Sequence, residues 1–404
     1  MKKVLCTSLV LLLILGGISA AFAANSNNTT AAAAATDTAA AGSAIGTTGA
    51  AVAVPDMTFT GTPINLSLDA AYKKMLTDSS GARMADLNKQ KAVGIANGYG
   101  ESVRLISKAE DKGGDYSTTD KNILKIQQNY AKTQGPKNYE AEISKLKSDT
   151  LENYYKLKEL ENQVQIAKDN LALKEKLLSN TRLKFKLGTV SKSDVLQAET
   201  AVYEAKDSLL AAEDGLNTMK MAFNQFMGYS LMQNVTLTDT IKEIPLSSKS
   251  LSDSIKDALK NRNEISEAAY NLQVSTLNMQ NYKAYPISSS KYIKAKMSML
   301  MAETAHKNAP LAVESDVRNK YMAMNEKYSA VQTGKKAVEN AKESARLAQL
   351  QYDAGMATLS DVESAQLNYY NKQLDLSKAL LEYNLAVNDY NLSSTAGVKT
   401  AALE

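Results

Sequence analysis

The sequence FKLGTVSKSDVLQA spans residues 185–198, and YDAGMATLSDVESA spans residues 352–365. A glycine, a Ser-Asp-Val triplet and a closing alanine recur in these two blocks at a constant offset of 167 residues. This period is too long for one unit of a solenoid and is typical of a duplicated half-domain. The sequence therefore predicts a protein made of two similar halves.

The segment after each block carries the heptad pattern of a coiled coil. Apolar or small residues follow one another at alternating spacings of three and four, with Lys372 as a polar exception. These seam positions are Val195, Ala198, Val202, Ala205, Leu209, Ala212, Leu216, Met219, Phe223 and Phe226, then Val362, Ala365, Tyr369, Leu376, Ala379, Tyr383, Ala386 and Tyr390. The alternation of alanine with larger residues lets neighbouring helices approach closely. The predicted fold class is all-α, with long antiparallel coiled-coil helical hairpins from two tandem repeats and little β structure.

Each half is predicted to contain a first helix, an interruption, a long helix, a glycine turn and another long helix. In the first half, Ser67 is expected to cap a helix that continues through Met75, Leu76, Met84, Leu87 and Val93. The long helix is expected from about Tyr139 to Leu187, and the first helix of the second half from Leu251 to about Tyr282. Between the halves, residues 235–245 indicate a short extended element.

The predicted organisation begins with targeting and tether segments. Lys2 and Lys3, an apolar run and the closing Ala-Phe-Ala indicate a signal peptide over 1–23, with a retained membrane anchor as the alternative. Cys6 would leave with the signal, so the exported chain is expected to hold no disulfide and no thiolate metal site. The further predicted parts are a disordered Ala/Thr-rich linker (24–60), helical repeat 1 (61–230), an inter-repeat segment (231–247), helical repeat 2 (248–397) and a tail (398–404).

The composition argues against nucleic-acid binding and against catalysis. The chain has 47 basic and 43 acidic residues, a near balance that carries no nucleic-acid footprint. A phosphate-binding loop of the Walker type does not occur, and His306 is the only histidine. We therefore expect that the protein is not an enzyme and that it holds neither a cofactor nor a metal ion.

The duplicated block, each copy followed by an alanine-rich heptad helix, resembles the TolC family of outer-membrane efflux proteins. Further matches are the stretch from Leu66 to Ala71, the stretch from Ala258 to Ile265, and the closing glycines Gly228 and Gly397. The resemblance covers about residues 64–397. It implies a homotrimer whose repeats form a helical barrel in the cell envelope, at the outer membrane or on its periplasmic face. It also implies a periplasmic adaptor (membrane fusion) protein and an inner-membrane pump as partners.

In that family the glycine turns dock the adaptor protein. Carried over by position, the docking residues would be Gly188, Thr189 and Val190 in one turn and Gly355, Met356 and Ala357 in the other. Glycine permits a left-handed turn between two antiparallel helices, and its missing side chain admits a close partner. The alternative is that these glycines only terminate helices.

The resemblance also implies an aperture at the same end of the duct. Asp361 takes the place of an aspartate in the ring that narrows the family's entrance, and Asp194 and Tyr352 match residues of the latch. Ser364 stands where a second ring aspartate is expected, and Ala357 where a latch arginine is expected. The alternative is that Asp194 and Asp361 are helix N-caps.

The family's membrane strands have no clear counterpart in this sequence. A transmembrane strand needs about 9–11 residues with alternating apolar faces, and the segments 113–120 and 285–294 supply no pair of such strands. We therefore expect the β-barrel to be reduced or missing. The predicted function is a non-catalytic conduit of an envelope export system, and the alternative is a structural spacer without a transport duct.

Overall fold

A computed structural model describes residues 58–114 and 117–403 of the chain. The predicted signal peptide and most of the predicted linker lie outside these residues. In chain order the elements are β1 (Thr60–Leu66), α1 (Leu68–Asp78), α2 (Ser80–Glu110), α3 (Thr118–Lys186), α4 (Lys192–Met227), β2 (Gln233–Leu237), α5 (Leu251–Asn261), α6 (Asn263–Asn281), α7 (Ser290–Asp353) and α8 (Leu359–Ser393). The all-α prediction with little β structure is confirmed.

The long hairpins pair in the predicted manner, α3 with α4 and α7 with α8. Every seam position predicted on α4 and α8 is buried or half-buried in the structure. Contacts between α3 and α8 join the two repeats. Among them, the Asn162 side-chain amide donates to the Ser377 hydroxyl at 2.9 Å, and the buried Lys174 ammonium donates to Gln366 at 3.0 Å.

Helix α3 is longer than the sequence predicts. It has 69 residues and starts at Thr118 rather than near Tyr139, because the helix continues through Pro136. A proline inside a helix removes one backbone hydrogen bond, so tertiary contacts must compensate for it. The Gln134 amide donates to Asn263 at 2.8 Å, and the Asn138 amide donates to the carbonyl of Ala401 at 2.7 Å. These buried bonds hold both sides of the proline in place.

The first helix of repeat 1 differs from the prediction in two ways. It breaks at Ser79, whose N–H still bonds to the Met75 carbonyl while its hydroxyl caps α2 by accepting from the Ala82 N–H. The buried side of α2 consists of alanines, and the larger residues Met84, Leu87 and Val93, which the sequence placed on one continuous helix with Met75, are exposed. In repeat 2 the corresponding break falls at Arg262, between α5 and α6.

Strands β1 and β2 form a parallel pair that packs on the middle of α3. Ile64 pairs with Val235, and Leu66 pairs with Leu237. Of the extended element predicted over residues 235–245, residues 235–237 belong to β2 and the rest forms no strand, whereas β1 was not predicted. The buried Tyr154 hydroxyl donates to the Leu66 carbonyl at 2.9 Å and so fixes this small sheet to α3.

The connections between α2 and α3 and between α6 and α7 are short. Turns and bends occupy residues 111–114 and 282–289, and no strand occurs in the described residues of either connection. Within residues 58–114 and 117–403, no helix is both long enough and apolar enough to cross a membrane.

Candidate functional site at the two glycine turns

The α3–α4 and α7–α8 connections end their first helices with the same hydrogen-bond pattern. Gly188 has a φ of 73°, and the Thr189 N–H donates to the Lys184 carbonyl at 3.0 Å. Gly355 has a φ of 75°, and the Met356 N–H donates to the Gln351 carbonyl at 2.8 Å. The Gly188 N–H donates to the Phe185 carbonyl, and the Gly355 N–H donates to the Tyr352 carbonyl. This second bond completes a Schellman motif in each turn. Because a positive φ strains residues with a Cβ, glycine is required at both positions.

The helix that follows each turn begins with a capping box. Ser191 accepts a bond from the Asp194 N–H at 3.2 Å, and the Asp194 carboxylate accepts from the Ser191 N–H at 2.8 Å. Thr358 and Asp361 form the same reciprocal pair at 3.2 and 2.8 Å. The alternative that Asp194 and Asp361 are themselves the N-caps is wrong. The caps are Ser191 and Thr358, because the spacing Ser/Thr-x-x-Asp places each aspartate at the third helical residue.

The capping box also affects the acidity of Asp361. The hydroxyl and the backbone N–H of Thr358 both donate to Asp361 Oδ2, and these bonds lower the pKa of its carboxyl. Asp361 is exposed and therefore carries its negative charge at neutral pH.

The two turns lie side by side and line one cleft of about 620 Å³. Lys184 links the two repeats here. Its ammonium lies 3.7 Å from the centroid of the Tyr352 ring, donates to the Tyr352 carbonyl at 3.0 Å and lies 3.3 Å from the Asp353 carboxylate. Of the predicted aperture residues, Asp194 and Tyr352 both line this cleft.

Tyr352 is held within the packing of its own chain. It is buried in a cluster with Leu177, Ala198, Leu359 and Val362. Its hydroxyl lies 3.4 Å from the Thr181 hydroxyl of α3. Tyr352 therefore ties α7 to α3 at the base of the two turns.

The outer surface of the turns is open. Leu187 is 70% exposed and Met356 is 76% exposed, while Val190 and Ala357 are half-buried. A Cβ built on Gly188 or Gly355 would meet nothing within 4 Å. The glycines are therefore needed for their backbone conformation and not for close packing inside the chain.

Several residues of this site carried no functional signal in the sequence. Lys184 and Thr181 act on Tyr352 from about 170 residues away, a distance that local patterns do not reveal. Ser191 and Thr358 could have been found from the capping-box spacing. No group of histidine, cysteine, aspartate and glutamate side chains that could hold a metal ion is found in the described part of the chain.

Residues 288–397 of this chain match the model of the family described as outer membrane efflux protein. The crystal structure of the outer membrane protein VceC from Vibrio cholerae has a similar fold, with a TM-score of 0.67 at 13% identity over 82% of this chain and 97% of VceC. The resemblance to the TolC family of outer membrane efflux proteins is confirmed.

Two further crystal structures show the same fold. A membrane protein from Pseudomonas aeruginosa gives a TM-score of 0.66 at 11% identity, over 83% of this chain and 91% of that protein. The CmeC outer membrane channel of Campylobacter jejuni gives a TM-score of 0.63 at 13% identity, over 82% of this chain and 86% of CmeC. No protein of curated function matches the sequence.

Proposed function

We propose that three copies of this chain form a TolC-like helical duct in an envelope export system, with the glycine turns docking a periplasmic adaptor. An inner-membrane pump would then supply the energy, and the chain would work in the cell envelope without catalysis. The observation that carries the proposal is the pairing of two identically built turns at one cleft. Both turns present exposed residues, and both are fixed by Schellman motifs and capping boxes.

The assembly of several copies is supported by an apolar stripe on α4. Leu196, Tyr203 and Leu210 are spaced by seven residues and are all exposed, although α4 already packs on α3 through its seam. Apolar residues repeating every seven positions form the contact line of a coiled coil. A second copy of the chain would cover this stripe, which the single chain leaves open to water.

Adaptor docking is supported by the shape and stiffness of the turns. Two backbone motifs fix each turn, so a partner would not have to order a mobile loop, which lowers the entropic cost of binding. The docking candidates are Gly188, Thr189 and Val190 together with Gly355, Met356 and Ala357, and the exposed Met356 side chain offers a flexible apolar contact.

Asp361 and Asp194 stay candidates for an aperture within the same duct. In each capping box the bonds go to Oδ2, so Oδ1 keeps its capacity to accept. Three copies of an exposed carboxylate around one axis would attract cations and repel one another.

The test combines a mass measurement with site-directed crosslinking. Light scattering on the purified mature chain is expected to give the mass of three chains, and a one-chain mass would favour the structural spacer instead. In cells with the complete export system, M356C carrying a crosslinker is expected to form an adduct with a periplasmic adaptor, identified by mass spectrometry. M322C, exposed on α7 and distant in sequence from the turns, is the matched control. An adaptor adduct that forms equally at both positions, or at neither, would contradict docking at the turns.

A further inference from the structure

The connection between α6 and α7 presents exposed apolar side chains at its tip. Ile287 is 77% exposed, and Tyr285 and Ile293 are also exposed. Met297 lies one helical turn after Ile293 on α7 and is exposed as well. We define residues 282–297 as the α6–α7 tip. Its apolar side chains have no covering element within the described chain.

The same tip is strongly basic. Lys283, Lys291, Lys294 and Lys296 are all exposed, and no aspartate or glutamate occurs between Glu267 and Glu303. None of these four lysines forms an ion pair within the described residues. The Lys291 ammonium lies over the ring of the neighbouring Tyr285, 5.3 Å from its centroid. The tip therefore combines a net positive charge with an exposed apolar apex.

The tip is a defined structure and not a loose loop. The Tyr282 and Tyr285 rings are in contact, with centroids 5.6 Å apart. The Ser289 N–H donates to the Pro286 carbonyl at 2.8 Å, and the Ser289 hydroxyl caps α7 by accepting from the Tyr292 N–H at 3.2 Å. These contacts hold Ile287 at the apex, with the lysines on either side of it in sequence.

The neighbouring α2–α3 connection has a different character. Asp111 lies in this connection, Glu110 is the last residue of α2, and Asp120 lies in the first turn of α3, where Lys121 forms an ion pair with Glu110. The Asn281 amide donates to the Asp120 carboxylate at 2.7 Å, so the two connections lie next to each other. Within the described residues, the α2–α3 side therefore pairs acidic with basic residues, whereas the α6–α7 tip holds lysines and exposed apolar side chains with no acidic residue of its own.

We propose that the α6–α7 tip binds peripherally to the surface of an anionic lipid bilayer. Lysines around exposed aliphatic and tyrosine side chains are typical of segments that lie at the membrane interface. The ammonium groups would bind lipid phosphates, and Ile287 and Ile293 would enter the headgroup region without spanning the bilayer. Helix α7 has 64 residues, about 95 Å at 1.5 Å per residue, so the tip and the Gly355 turn occupy its opposite ends. This binding goes beyond the proposed duct and does not require it.

The test uses the absence of tryptophan from the whole chain. In full-length I287W the single indole reports the surroundings of the tip, and in M356W it reports an equally exposed position at the other end of α7. Each variant is mixed with vesicles of phosphatidylcholine alone or of phosphatidylcholine with phosphatidylglycerol. We expect the emission of I287W to shift to the blue only with phosphatidylglycerol, to return as salt is added, and to stay constant in M356W.

A charge variant completes the test. In the I287W background, replacement of Lys283, Lys291, Lys294 and Lys296 by glutamine is expected to weaken vesicle binding at least roughly tenfold. These side chains form no ion pair within the described residues, so circular dichroism is expected to be unchanged. The proposal is overturned if phosphatidylglycerol leaves the I287W emission unchanged, even when the chain sediments with the vesicles through another segment. An equal shift in M356W, or full binding by the charge variant, overturns it as well. The assay contains no adaptor, so its outcome is independent of the crosslinking test at Met356.

Discussion

The ammonium of Lys184, near the end of α3, lies 3.7 Å from the centroid of the Tyr352 ring, near the end of α7. One residue comes from each repeat, so this contact joins the two halves directly below the glycine turns. The relative position of the turns is therefore set by side chains and not only by the helices that lead to them. A partner that binds both turns would depend on this junction.

Replacement of Lys184 by methionine is expected to loosen the junction. K184M removes the cation–π contact and the hydrogen bond to the Tyr352 carbonyl but keeps an apolar stem. We therefore expect the free energy of unfolding to fall by about 1 kcal/mol. The half-exposed Asp353 pair contributes little to this value. Hydrogen exchange is expected to become faster at the end of α7 and in the Gly355 turn.

The matched control is K186M, two residues further along α3 and exposed. This variant should leave exchange at the Gly355 turn unchanged. Equal acceleration in both variants would mean that the Lys184 contact does not hold the turns together.

Replacement of glycine by alanine is expected to change stability in opposite directions at the two turns and inside α4. G188A and G355A place a Cβ at a positive φ, so each is expected to lower the free energy of unfolding by about 1–2 kcal/mol. G215A lies inside α4 with nothing within 4 Å of the new Cβ, and we expect it to raise stability by roughly 0.5–1 kcal/mol. Urea unfolding measures all three variants. A loss of stability in G215A equal to that in the turn variants would contradict a conformational role for the turn glycines.

The apolar stripe on α4 predicts the effect of a charge on assembly. Y203E places a carboxylate in the middle of the stripe formed by Leu196, Tyr203 and Leu210, so we expect the three-chain mass to fall to that of one chain. S208E adds the same charge on another exposed face of α4 and should keep the three-chain mass. Sedimentation velocity distinguishes these outcomes, and a trimer that survives Y203E would place the contact between copies elsewhere.

The features that could be predicted from the sequence are those that depend on local patterns. The seam from Val195 to Phe226 and the two glycine turns follow from residue spacing, and the structure contains both. The start of α3 before Pro136 could not be predicted, because buried bonds to Asn263 and Ala401 stabilise it from more than 100 residues away. The alanine contact face of α2 was not predicted either. Close approach of α2 to Gly135 favours alanine at the contact, which periodicity of large apolar residues cannot reveal.

Arg262 connects two separate stretches of repeat 2 that carry the family resemblance. It belongs to the stretch from Ala258 to Ile265 and packs against the closing Gly397. Its buried guanidinium donates to Glu264 at 2.6 Å and to Asp316 at 2.8 Å. A Cβ on Gly397 would lie 3.0 Å from Arg262 Nε, so the closing glycine leaves room for this arginine. Burial by itself would raise the pKa of both carboxyls, but the hydrogen bonds and charge of Arg262, together with Lys320 at Asp316 and the charge of Lys399 at Glu264, outweigh it and lower the pKa of Glu264 and of Asp316.

The lowered pKa values predict a loss of stability in acid. A carboxyl whose folded pKa lies below its unfolded pKa stabilises the fold above the unfolded value, near pH 4, and this contribution is lost as pH falls through the folded pKa. R262M is expected to lower the free energy of unfolding by roughly 2–3 kcal/mol at pH 7, because the partly buried carboxylates of Glu264 and Asp316 both lose the guanidinium that pairs with them. The difference in unfolding free energy between the original chain and R262M should then shrink between about pH 5 and pH 3.

The control is K320M, which removes a half-exposed partner of Asp316 and should lower the free energy of unfolding by less than about 1 kcal/mol. A difference that stays constant down to pH 3 would show that Arg262 acts through packing and not through its charge.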